Sequence, residues 1–127
     1  MSSIVLDASA VLAVLFAEKG ADAVIPRLPG AFLSCVNLAE VTSRAIDCGK
    51  SLEDTIAEIA RLPLRVVEYD AGQAHITASL RAATKPFGLS LGDRACLALG
   101  LARQATVLTG DRDWRKLKIG VEITLFR

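Results

Sequence analysis

Four acidic residues, Asp7, Glu40, Asp93 and Asp111, stand where one apolar element gives way to the next. Asp7 closes the run Ile4-Val5-Leu6 and opens a second one from Ala8 to Phe16. Glu40 lies in Val36-Asn37-Leu38-Ala39-Glu40-Val41 and Asp93 in Ser90-Leu91-Gly92-Asp93-Arg94-Ala95, while Asp111 follows Thr106-Val107-Leu108-Thr109 through Gly110. Burying an unpaired carboxylate is costly, so an acid in such a setting has a partner or a task. Two carboxylates ~4 Å apart repel by about 4 kcal/mol at an effective dielectric near 20, and convergence of all four would multiply that repulsion. Relief comes from protons or from a cation. An oxygen-only donor set without His or Cys suits Mg²⁺ or Mn²⁺ rather than zinc. Such ions activate a water and neutralise charge on the leaving oxygen of a phosphodiester, so hydrolysis of nucleic acid is the chemistry this set points to.

Each acid also has an ordinary structural role open to it. Asp7 is a good helix N-cap. Glu40 precedes Arg44 by four residues, the spacing and order of a favourable helix-surface ion pair. Asp93 is three residues after Ser90, as in a capping box, and Asp111 and Asp113 suit a polar turn after a strand. Asp93 shares a helical face with Leu97 and Leu101, which sets it toward the packed side; Glu40 lies to one side of the face marked by Leu38, Val41 and Ala45.

The elements that must position these residues follow from the apolar pattern. Strands are expected at 4–6, 31–34, 64–69, 106–109 and 121–125, and helices at 8–16, from Gly20 to Pro26, 36–48, from Ser51 to Pro63, 70–84 and 90–104. Pro29-Gly30 and Pro86-Phe87-Gly88 mark turns, and Gly49 supplies a helix C-cap. Short apolar strands alternating with helices indicate an α/β fold with a mostly parallel sheet of about five strands covered on both faces. Ligands of such sheets bind at the carboxyl ends of the strands, where the strand order reverses, and Asp7 and Asp111 both follow such ends.

With 127 residues, 52% of them hydrophobic, the chain suits one domain spanning 1–127 with a real core. A formal net charge of +1 does not advertise a nucleic-acid binder, so any such contact must come from a local patch. Arg112, Arg115, Lys116 and Lys118 form one just after the last acid, and Arg94 adjoins Asp93; these are candidates for phosphate contact, the alternative being a solvated basic loop. Cys35, Cys48 and Cys96 show no CxxC spacing, and His75 is the only histidine, so a zinc set is excluded. The cysteines read as reduced core thiols and His75 as structural or surface. The apolar N-terminal stretch lacks a basic leader and is interrupted by Asp7, and no run of ~18 apolar residues occurs. A soluble cytoplasmic protein, not a membrane one, is expected.

The four motifs, in the order Val5-Leu6-Asp7-Ala8-Ser9, Asn37-Leu38-Ala39-Glu40-Val41, Leu91-Gly92-Asp93-Arg94-Ala95 and Leu108-Thr109-Gly110-Asp111-Arg112-Asp113-Trp114, together resemble the PIN-domain family, in particular the VapC ribonuclease toxins of bacterial toxin–antitoxin modules. The resemblance covers essentially the whole chain. It implies that Asp7, Glu40, Asp93 and Asp111 are the catalytic, metal-binding carboxylates, holding Mg²⁺ or Mn²⁺. It also implies that Ser9, Thr109 and Asp113 support them and that Trp114 packs in the core; with RNA as substrate, the basic cluster makes Arg94, Arg112, Arg115 and Lys116 its candidate contacts. The expected partners are an RNA substrate, a cognate VapB-type antitoxin that meets helices of the first half, and a second copy in a homodimer.

Other classes make distinct demands on the same positions. An aspartate-nucleophile phosphotransferase of the haloacid-dehalogenase type resembles Asp-x-Asp after the first strand, where this chain has Ser9. A phosphoacceptor receiver domain needs a Lys after a late strand, where Thr109-Gly110 stands. An interaction module whose acids merely cap helices, or a degenerate PIN domain, needs none of the four acids together.

Overall fold

The computed structural model describes residues 3–127. Its sheet is built from β1 (Ile4–Leu6), β2 (Phe32–Ser34), β3 (Arg65–Val67), β4 (Thr106–Thr109) and β5 (Ile123–Leu125). The order is β3-β2-β1-β4-β5 and every pairing is parallel. The chain builds outward from β1 to β2 and β3 on one side, then returns to lay β4 and β5 on the other. The order therefore reverses at β1 and β4, whose carboxyl ends carry Asp7 and Thr109. This is the place at which open parallel sheets leave a crevice.

Among the described residues seven α-helices connect the strands: α1 (Ala8–Leu15), α2 (Ala21–Val24), α3 (Cys35–Asp47), α4 (Leu52–Ala60), α5 (Ala71–Ser79), α6 (Arg81–Thr84) and α7 (Leu91–Arg103). Strand residues alternate between two cores. Leu6, Leu33 and Leu108 face α1 to α4, joining Val11, Val24, Val41 and Ile59. Val5 and Val107 face the opposite layer with Cys96, Leu97, Leu99 and Trp114. Both faces are thus dry over the inner strands β1, β2 and β4, which is why these read as continuous apolar runs, whereas at the edge β3 leaves Arg65 and Val66 exposed.

Most elements fall where the sequence places them, with shorter strands and shifted ends. The helix expected over 70–84 is divided at Leu80 into α5 and α6. Thr77 and Thr84 return their hydroxyls to the carbonyls of Gln73 and Leu80, at 2.8 and 2.7 Å, on either side of the break. A 3₁₀ turn over Arg112–Lys116, where only a polar loop is expected, follows from the Asp111 carboxylate accepting the Asp113 N–H at 3.0 Å. The expectation of three core thiols holds for Cys96 alone: Cys35 is half-buried, and Cys48, at the C-cap of α3, is exposed. Among the described residues no helix is long and apolar enough to cross a membrane.

Candidate active site

At the reversal point a cleft of about 200 Å³ is lined by Asp7, Ser9, Leu12, Glu40, Arg44 and Asp93. Its acids come from three elements that are remote in sequence. Asp7 is delivered by β1, and its backbone N–H is tied to the Leu108 carbonyl at 3.0 Å. Although it occupies the N-cap of α1, its side chain makes no capping bond. The carboxylate Oδ2 accepts from Ser9 Oγ at 2.7 Å and from Thr109 Oγ1 at 2.9 Å. Thr109 in turn accepts the Asp111 N–H at 3.0 Å, and Ser9 accepts the Gly110 N–H at 3.0 Å. Both hydroxyls thus act as relays between the two central strands and hold Asp7 in one rotamer.

Asp7 is 6% exposed. Burial pushes its carboxyl up from the ordinary 3.8 to about 6; the Ser9 and Thr109 bonds work against that rise, and the negative charges of Asp93 and Glu40 add to it. Below the cleft, burial also pushes the Cys96 thiol well above its ordinary range, helped by Asp7, Asp93 and Glu40 in that order. Cys96 is therefore a neutral core group.

Glu40 does not pair with Arg44, as its spacing allows. Its Oε1 accepts from Asn37 Nδ2 at 2.9 Å, and the same amide donates to the Gly92 carbonyl at 2.9 Å. Asn37 is fully buried and so clamps α3 onto the first turn of α7. Gly92 makes the approach possible, because a Cβ there would lie 2.6 Å from Glu40 Oε1 and 2.8 Å from its Cδ. Neither Asn37 nor Gly92 is singled out by sequence reasoning. The available signal is an amide one helical turn before an acid, and a glycine inside the first turn of a helix.

Asp93 fulfils both roles open to it. With Ser90 it completes a capping box, Oδ2 accepting the Ser90 N–H at 3.0 Å, and it also lines the cleft, half-buried. Each of the three cleft acids has one oxygen held by a protein donor and the other free of protein donors among the described residues.

Asp111 stands apart. It does not line the cleft, and its carboxylate caps the 3₁₀ turn; its link to Asp7 runs through Thr109. Asp113 is exposed and pairs with Lys116 at 3.2 Å. Arg112 and Arg115 are exposed on the same turn. Arg94 is turned away toward α5, its Nη1 donating to the Thr77 carbonyl at 3.2 Å. His75 is exposed and Trp114 completely buried. Arg44, noted in the sequence only as a pairing option for Glu40, lines the cleft.

The donor chemistry suits a hard divalent cation: oxygens only, on acids of unequal burial, one of which burial makes reluctant to carry an uncompensated charge. Among the described residues, no three such side chains stand at chelating distance of one point. Glu40 and Asp93 keep solvent exposure and are free at one oxygen, so closure on an ion needs side-chain rotation, with Asp7 as the fixed member.

Comparison with known proteins follows the same lines. A family profile described as PIN domain matches residues 4–120. No curated protein matches the chain by sequence. Among solved structures, the DNA-bound VapBC of Salmonella typhimurium is 19% identical with a TM-score of 0.73, covering 100% of both chains. VapBC2 of Rickettsia felis, bound to a DNA fragment from its promoter, is 17% identical with a TM-score of 0.73 over 97% of this chain and 98% of that one. Mycobacterium tuberculosis VapC20, a sarcin-ricin loop cleaving toxin, is 15% identical with a TM-score of 0.68 over 94% of this chain and 98% of that one. At these identities the likeness is one of fold.

Proposed function

The chain belongs to the PIN-domain family, and from that premise we propose that it is a VapC-type toxin, a Mg²⁺- or Mn²⁺-dependent endoribonuclease neutralised by a cognate VapB-type antitoxin. The observation that carries the reading is the convergence of Asp7, Glu40 and Asp93 on one cleft at the switch point of a parallel sheet. The sarcin-ricin loop cleaving activity of VapC20 supports RNA as substrate, and the VapBC complexes support a protein antitoxin as partner.

In this reading Asp7, Glu40 and Asp93 would hold the ion, with Asp111 as a further acid linked to Asp7 through Thr109. A bound Mg²⁺ or Mn²⁺ supplies a water of lowered pKa and a positive charge to offset that on the leaving oxygen. The chain's own contribution is preorganisation. Ser9 and Thr109 fix Asp7, while Asn37 and Ser90 each hold one oxygen of Glu40 and Asp93, so the rotation needed to close on an ion is confined to those two side chains. The exposed Arg112, Arg115 and Lys116 supply phosphate contacts outside the cleft. Exposed apolar side chains on first-half helices, Ile46 of α3 with Leu52 and Ile56 of α4, are the surface on which this reading seats the antitoxin. A homodimer and a cytoplasmic location complete it. Nucleophilic phosphotransfer from Asp7 has less support, because Ser9 occupies the place of the second acid and Oδ2 of Asp7 is committed to two hydroxyls.

The test is cleavage of a mixed cellular RNA pool by the purified protein with EDTA, Mg²⁺ or Mn²⁺, beside Asp93→Asn prepared identically. Cutting that needs metal and disappears in the variant is expected; cutting that survives either EDTA or the substitution would defeat the reading.

Gly92→Ala separates the site from the fold. The added methyl collides with the far end of the Glu40 side chain, at 2.6–3.0 Å from its carboxylate atoms, and that end can move without disturbing the core. Alanine also has the better helix propensity, by about 1 kcal/mol. Melting should therefore stay within about 1 kcal/mol of the parent, while RNA cleavage drops at least about tenfold, or about 1.4 kcal/mol in barrier. A variant with wild-type turnover would show that the placement of Glu40 is immaterial.

A further inference from the structure

Arg44 has no role in the arrangement described so far, yet among the described residues it is the one cation that lines the acidic cleft. It lies in the last turn of α3, is exposed, and forms no ion pair among the described residues. It also lines a second cavity of about 370 Å³ with Ser9, Leu12, Phe16, Cys48 and Arg127. Ser9, Leu12 and Arg44 are common to both, so the two form one groove that runs from the acids along α1 and the end of α3.

The character of the groove changes along its length. The cleft end carries Asp7, Glu40 and Asp93 against Arg44, whereas the second cavity carries Glu18 against Arg44 and Arg127. Glu18 is already engaged by Arg127, at 3.5 Å, and Arg127 also donates to the Lys19 carbonyl at 3.1 Å. The free charge of this part is thus the Arg44 guanidinium, beside an apolar wall of Leu12 and Phe16. One face of the Phe16 ring is covered by the Lys50 ammonium, 5.3 Å from its centroid, but Lys50 is itself paired with Glu58 at 2.8 Å, which leaves Arg44 as the unpaired charge. The volume falls in the range of about 300–1,000 Å³ typical of small-ligand pockets.

Resting on the nuclease reading, we infer that this groove is the subsite for the nucleotide next to the scissile phosphate, with Arg44 gripping its phosphate and Leu12 and Phe16 receiving its base. A planar guanidinium matches a phosphate with two parallel N–H bonds, whereas a peptide backbone offers nothing that requires a free cation there. An aromatic side chain beside a positively charged groove is also the usual arrangement for holding single-stranded nucleic acid.

The test compares wild type, Arg44→Ala and Arg44→Lys in Mn²⁺, following kcat/KM for RNA cleavage against salt, together with Mn²⁺ affinity. Losing one phosphate contact should reduce the salt slope of Arg44→Ala by about 0.7 and lower kcat/KM about tenfold or more. Lysine should keep the slope and recover only part of the rate. Removing a cation beside carboxylates should leave Mn²⁺ affinity unchanged or tighter. A second measurement reads occupancy directly. A random 12-nucleotide single-stranded RNA should slow alkylation of the exposed Cys48 by N-ethylmaleimide, followed by mass spectrometry on Asp93→Asn protein, with buried Cys96 as the unreactive control.

An unaltered salt slope in Arg44→Ala, weakened Mn²⁺ binding in that variant, or a Cys48 that RNA leaves unprotected would each overturn the inference while wild-type cleavage stood. Protection by the cognate antitoxin but not by RNA would assign the groove to the protein partner and overturn it equally. A wild-type protein that neither binds nor cuts RNA would remove the nuclease reading, and the subsite with it.

Discussion

Asp7→Asn should abolish RNA cleavage, by at least about 10³-fold or roughly 4 kcal/mol in barrier, and at the same time stabilise the metal-free fold at neutral pH. The two effects have one cause. Asp7 is the buried, fixed member of the acid set, and its environment disfavours its charge. Below pH ~4 the folded and unfolded chains both hold the proton. Between the ordinary 3.8 and about 6 only the folded chain does, so the stability owed to this group falls as pH rises through that window and stays low above it. At 1.36 kcal/mol per pH unit the window amounts to roughly 3 kcal/mol.

Asparagine removes the buried charge and keeps an oxygen for Ser9 and Thr109. The variant should therefore be about 1–3 kcal/mol more stable than wild type at pH 7.5 without divalent ions, and the two should converge near pH ~4. Mn²⁺ should raise the melting temperature of wild type and have little effect on the variant. Melting curves across pH, with and without Mn²⁺, measure all of this. A variant that cleaves RNA normally, or that is less stable than wild type at pH 7.5, would contradict the role given to Asp7.

Trp114→Ala should be the most destabilising single change, at about 3–5 kcal/mol of a total stability of about 5–15. The indole is fully buried between the sheet and the 3₁₀ turn, within the core cluster of Val107, Leu99 and Leu117. Its Nε1 has no partner among the described residues, so it acts by packing alone. Trp114→Phe keeps most of that packing and should cost about 2 kcal/mol or less. For a chain of this size the alanine variant should melt roughly 10–20 °C lower. The turn it pegs also carries Asp111, Arg112, Arg115 and Lys116, so RNA binding should weaken with it. A shift of only a few degrees would mean that something other than the indole secures the turn.

These two residues also mark how far the chain could be read before it was folded. Asp7 was visible because a carboxylate between two apolar runs contradicts the local pattern, and such a contradiction points to function. The architecture was legible for a related reason. Strands buried on both faces must be apolar throughout, so Ile4-Val5-Leu6 and Thr106-Val107-Leu108 announce a covered parallel sheet. Helix starts were equally clear, since Ser51 and Ser90 cap with their own side chains, an interaction contained within three residues. The break at Leu80 was not, because the apolar pattern runs through it without a glycine or proline to mark it.

For the site, the types of the acids and their order along the chain were determined by the sequence alone, as was an oxygen-only donor chemistry. Which acids actually meet was decided by tertiary structure. Asp7, Glu40 and Asp93 share the cleft, whereas Asp111 turns to cap its own loop and reaches Asp7 only through Thr109. Arg94 and Arg44 make the same point in opposite directions: the first, beside an acid in sequence, is drawn off to α5, and the second, four residues from an acid, stays unpaired in the cleft. The physical reason is that local patterns report on forces acting within a turn or a strand. The Asn37 amide that spans 55 residues to Gly92, and the Thr109 hydroxyl that spans 102 to Asp7, exist only after the sheet has brought their elements together.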